Sequence, residues 1–267
     1  MTPACGHLLT VAQQNANVPE GNFMIRALLL STTESGVQAL QISGLATVLA
    51  GLGFSVEHRD PAKPHAGPAQ SERIRLALVW LAHDHEGEPT RSDFGLSPDC
   101  LLFAVVPADA GKSVTHAARG AAFDATLTAP VNASSLARAL AEHGFIAVSP
   151  DECAAVGTLL DTLAGGDPDI VRDLVDSLVD TNRIDLAMMH AALADGAWQR
   201  FDSGAHRIKG SARILECAAL VTLCGRLEAV AQRGDLAAAQ ALLPIFAATV
   251  EHLEASLVAM RPPPRAA

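Results

Sequence analysis

Two hydrophobic rhythms divide the 267-residue chain. From Met24 to Gly144, short apolar runs alternate with segments of helical period. MIRALLLS, FSVEH, RIRLALVWLA, CLLFAVV and AFDATLT predict five strands. Ser35 to Leu52 predicts a helix with Val37, Leu40, Leu45, Val48 and Leu52 inward, ended by Gly53. Residues 59–72 contain three prolines and predict an exposed loop. Ser134 is expected to cap a helix through Leu140 that closes at Gly144. Strands alternating with helical segments predict a parallel sheet covered on both faces, an α/β three-layer domain.

After a linker from His143 to Pro150 the period becomes helical throughout. Helices are predicted from Asp151 to Leu163 and, capped by Asp167 with Pro168 in its first turn, from Asp169 through Leu193. The second is expected to turn Ile170, Leu174, Leu178 and Ile184 inward. A turn at Ala194-Asp195-Gly196 leads to a helix from Trp198 to Cys217. Then come Ala219 to Gln232, burying Leu220, Leu223, Leu227 and Val230, and Leu236 to Met260, with a kink expected at Pro244. The expected organisation is a flexible tail at 1–22, an α/β domain at 23–144 and an all-α helical bundle at 150–261.

Charge and cysteine usage narrow the function classes. A net charge of −10 and a pI near 5.4 argue against a nucleic-acid or anionic-membrane surface. Five cysteines without a C-x-x-C pair fit a reducing cytoplasm. The N-terminus lacks the pattern of a signal peptide, and no uninterrupted apolar stretch of membrane-spanning length is evident in the sequence.

The chemistry concentrates in WQRFDSGAHRIKGSARILEC, Trp198 to Cys217. Trp198, Phe201, Ala205, Ile208, Ala212 and Leu215 form one apolar stripe, and His206 lies roughly 130° from its middle. It shares its face with Gln199, Asp202, Ser203, Lys209, Gly210 and Arg213. A neutral imidazole is a nucleophile near pH 7 and needs no metal. Lys209 and Arg213 supply charge for phosphoryl oxygens, and Gly210 leaves room for a bulky partner. A solvated surface histidine is the competing account, but it does not explain a mid-helix glycine costing about 1 kcal/mol beside that ring.

His206-Arg-Ile-Lys209-Gly210-Ser resembles the core motif of histidine-containing phosphotransfer (HPt) domains, and the likeness extends from about Asp151 to Met260. The resemblance implies an up-down four-helix core, His206 as the phosphorylated residue and Lys209 as its electrostatic support; Arg213 as further phosphoryl support rests on its place on the same face. Gln199, Asp202, Ser203, Arg207 and Gly210 would form the docking face. It further implies a carrier rather than an enzyme, with no cofactor of its own and Mg²⁺ on the partner. Response-regulator receivers and a hybrid sensor histidine kinase would be the partners, and a dimer stays open. One departure is Glu216, where the family usually has a glycine ten residues after the histidine. A change in helix approach is expected there.

Residues from about Met24 to His143 resemble a response-regulator receiver, most closely in FDATLTAPVNASSLARAL. The departures matter more than the likeness. Ala129 replaces the lysine expected before Pro130. Ser31, Thr32 and Thr33 stand where an acidic pair is expected, Asp84 is displaced into a loop, and Pro107-Ala108 replace a hydroxyl. Aspartyl phosphorylation needs a nucleophilic carboxylate, carboxylate-held Mg²⁺ and a lysine. A non-phosphorylatable pseudo-receiver follows, acting as a docking or regulatory module that shields His206 or tethers the chain; an unrelated α/β domain is the alternative. His83-Asp84-His85-Glu86 could form a metal loop, though four adjacent residues rarely converge on one ion, so no metal site is assigned. Gly111-Lys112-Ser113 lacks the upstream glycine of a phosphate-binding loop, since position 106 is Val. Three other functions remain: a non-phosphorylated adaptor that binds receivers or a kinase, a metal-dependent enzyme built on the His83–Glu86 loop, and the receiver-HPt portion of a hybrid histidine kinase.

Overall fold

The computed structural model describes residues 25–31, 44–59, 74–81, 95–118 and 122–263. The expected tail at 1–22, the first part of the helix from Ser35, the proline-bearing loop beyond Arg59 and the His83–Glu86 loop lie outside them.

The α/β region consists of β1 (Ile25–Ser31), α1 (Leu45–Gly51), β2 (Phe54–Arg59), β3 (Ile74–Trp80), β4 (Leu101–Val106), α2 (Lys112–Ala118), β5 (Ala125–Thr128) and α3 (Ala133–Glu142). All strand pairings are parallel, in the order β2-β1-β3-β4-β5. This is the flavodoxin-like order, and the region is receiver-like as expected. Side-chain alternation sends Ala27, Leu29, Leu76, Leu78, Phe103 and Val105 to the face holding Leu45, Leu49, Leu136 and Leu140 of α1 and α3. Leu28, Leu30, Ala77, Val79, Leu102 and Ala104 face the other way, toward Val114 and Ala118 of α2. Two covered faces explain why β1, β3 and β4 are buried over most of their length. The sequence reading missed α2, which is only seven residues long; Lys112 begins it. The cap of α3 is also corrected: Asn132, not Ser134, accepts from Ser135 N, with Ser135 reciprocating.

Five helices follow: α4 (Pro150–Leu163), α5 (Pro168–Ala194), α6 (Trp198–Ile214), α7 (Ala218–Arg233) and α8 (Leu236–Met260). Ser149 and Glu152 form a capping box on α4, one residue earlier than the sequence suggests. The other oxygen of Glu152 accepts from Ala219 N at 3.2 Å, so one carboxylate serves two helix starts. Asp167 caps α5 with Pro168 in its first turn, as expected. The inward face of α5 is a correction. Ile170 and Ile184 are 47% and 69% exposed, and Leu174 and Leu178 only half-buried. The buried row is Val171, Val175, Val179, Asn182, Asp185, Leu186 and Met189.

α6 packs chiefly between α5 and α7, and α8 fills the side of the bundle formed by the same two helices and α4. α8 continues through Pro244, and its composition is apolar enough to span a membrane. Twelve of its residues, Glu254 among them, are instead buried inside the molecule.

Candidate functional site

α6 buries Phe201, Ala205, Ile208 and Ala212, with Leu215 buried at its C-cap, as the sequence stripe predicts. Trp198 is half-buried and meets Phe201 edge-on. His206 projects from the opposite face with its side chain 72% exposed.

Its ring is not free. Nδ1 lies 3.0 Å from Oε1 of Glu228 on α7, and the other oxygen of that carboxylate accepts from Lys209 Nζ at 2.6 Å. Burial pushes the Glu228 carboxyl upward, but the hydrogen bonds from Lys209 and His206 outweigh it and hold the pKa below the usual carboxylate range. Glu228 is therefore ionised at neutral pH and can only accept. The hydrogen on the neutral imidazole must then sit on Nδ1, leaving the Nε2 lone pair for a nucleophilic role.

Sequence reasoning missed Glu228, which lies just off the apolar stripe of α7. The signal was available in hairpin geometry. α6 and α7 are antiparallel helices joined at Cys217, so positions equally distant from that turn face each other. His206 then opposes Glu228 and Lys209 opposes Gly225; a methyl at Gly225 would sit 3.7 Å from Nζ. The same construction about Gly196 pairs α5 with α6. There Arg207 Nε and one terminal nitrogen donate to Asp185 Oδ1 at 2.8 and 2.6 Å, and Ser211 Oγ donates to Asn182 Oδ1 at 3.0 Å.

The structure thus sorts the sequence candidates. His206 and Lys209 meet through one carboxylate. Arg207, expected on the docking face, is committed to a carboxylate only 4% exposed. Gln199 and Ser203 are exposed, with Ser203 Oγ bonded to Gln199 O at 2.8 Å, while Asp202 is half-buried. Arg213 shares the azimuth of His206 but stands about 10 Å farther along the axis. A Cβ at Gly210 meets nothing within 4 Å, whereas one at Gly204 would come within 2.5 Å of Met189 Cγ. Gly204, not Gly210, is the glycine that helix packing demands. Glu216 adopts φ 53° in the turn closing α6. A glycine there would adopt this left-handed backbone without strain.

Among the described residues no cluster of His, Cys, Asp and Glu could hold a metal. Residues 173–257, from α5 into α8, match the family model of the Hpt domain. Comparisons with curated proteins and with solved structures give no match.

Proposed function

We propose that this chain is a phosphoryl carrier in a histidine phosphorelay, with His206 as the residue that accepts and passes on the group. The observation that carries it is the Glu228 carboxylate held between His206 Nδ1 and Lys209 Nζ, within the segment matching the Hpt family. A receiver partner, bringing its own aspartyl phosphate and Mg²⁺, docks on the exposed α6 face. Nε2 attacks phosphorus in line: the N–P bond forms, the P–O bond to the aspartyl oxygen breaks, and the carboxylate leaves with the partner. With Nδ1 protonated and Nε2 phosphorylated, the ring is cationic, and Glu228 offsets that charge. Lys209, on the next turn of α6, supplies positive charge near the transferring oxygens. Reversal onto a second receiver completes the relay, so the chain carries the group without turning over a free substrate. A hybrid sensor kinase is the natural source of the donor receiver.

The two parts, 23–144 and 150–261, divide the labour. The second carries the phosphoryl group. The first is a pseudo-receiver, lacking in sequence the acidic pair after β1 and the lysine before Pro130. Its packing through α3 on α8 favours a support over a cover for His206.

The test is transfer from a panel of labelled receivers to the wild-type chain and to His206→Gln. Label on the wild type and not on the variant supports the relay. Binding of a receiver without label on either would leave an adaptor. Label on the variant would mean another residue is the acceptor.

A further inference from the structure

We infer that the α/β and helical regions fold as one cooperative unit, with α8 serving as a core helix for both. An outer helix of a bundle buries one stripe. On α8, Ala239, Leu243, Phe246, Val250, Leu253 and Leu257 form such a stripe toward the bundle. Ala241, Ile245 and Thr249 are buried as well, and they make a separate i, i+4 row well around the helix from it. α3 packs along α8, and the Thr249 hydroxyl accepts from Ala147 N at 3.2 Å, just beyond the end of α3. The second row therefore belongs to the α/β core.

The connection between the regions is itself buried. Phe145, Ala147 and Val148 are at most 4% exposed, and Phe145 lies 5.5 Å from Phe54 of β2, ring to ring. A flexible tether would be exposed and polar. Arg75 on β3 donates to Ile146 O at 3.2 Å. A further contact reaches α7, the helix that carries Glu228. Gly53, at φ 97°, brings the α1–β2 turn so close that a Cβ there would lie 3.2 Å from Thr222 Cγ2 and 3.9 Å from Arg226 Cγ. Removing the α/β region would strip the second row of α8 to water. A change in its stability accordingly reaches the His206 helices through α7 and α8.

Hydrogen–deuterium exchange on the full chain in rising urea tests this, read from peptides in β3 and in α6. The slowest amides exchange only through global opening. In the wild type both peptides should lose protection at the same urea concentration. Leu136→Ala, a cavity in α3 at a fully buried position, should lower protection of both by the same factor. Protection lost in β3 with α6 unchanged would overturn the inference. If the variant cannot form its sheet, α6 must exchange freely too; an α6 that stays protected would equally overturn it.

Discussion

Replacing Glu216 by glycine should stabilise the chain. The turn after α6 closes through Glu216 N to Arg213 O and Cys217 N to Ala212 O, the pairing that uses a left-handed residue between helix and exit. Glu216 occupies that place at φ 53°, where a side chain with a Cβ costs about 1–2 kcal/mol. Glycine removes that cost but gives back about 0.5–1 kcal/mol through its freer unfolded chain. The net gain is about 0.5–1 kcal/mol, or about 1–2 °C in Tm for a cooperative unit of this size. Urea and thermal unfolding of Glu216→Gly and Glu216→Ala measure it. Alanine keeps the Cβ and should gain nothing from the turn. Equal stability of the two variants would refute the reasoning. Phosphotransfer should be unchanged, because the turn lies about 15 Å along the axis from His206.

Other outcomes follow from the same geometry. Glu228→Gln should keep an acceptor for Nδ1 but slow phosphotransfer by removing the charge that offsets the cationic ring; an unchanged rate would discount Glu228. The lowered pKa of Glu228 means its contribution to stability is fully present above the ordinary value of 4.5 and is lost as pH falls through the lower folded value. Urea midpoints of Glu228→Gln should therefore lack that acid dependence. Gly204→Ala should cost about 1–3 kcal/mol by driving a methyl into Met189, whereas Gly210→Ala should be neutral or gain up to about 1 kcal/mol and slow transfer by crowding the partner. Arg207→Ala should cost about 2 kcal/mol in urea unfolding, because it leaves the buried Asp185 carboxylate without its partner. A loss of receiver affinity with stability unchanged would instead make Arg207 a docking residue, as its half-exposed side chain also permits.

What was legible in the sequence was local. The α6 stripe, the Asp167–Pro168 start of α5 and the apolar strands are set by periodicity and capping, so short-range patterns reveal them. The inward face of α5 was not legible, because Asn182 and Asp185 lie on it and are made tolerable by Ser211 and Arg207 from α6. A hydrophobic count assigns that row to solvent and turns the exposed Ile184 inward. α8 was legible in its bounds, but a run apolar on two flanks does not show from sequence what either flank packs against. Glu228 carries no local signal, and its role exists only once α7 folds back on α6.

The most direct measurement of the central claim is the chemical identity of the phosphorylated atom. After transfer from a phosphorylated receiver, ³¹P–¹⁵N correlation on chain labelled at histidine nitrogen should show phosphorus bonded to Nε2 of His206, in an acid-labile, base-stable linkage that His206→Gln lacks. Phosphorus on Nδ1, on another residue or in an acid-stable ester would contradict an acceptor whose Nδ1 is held by Glu228.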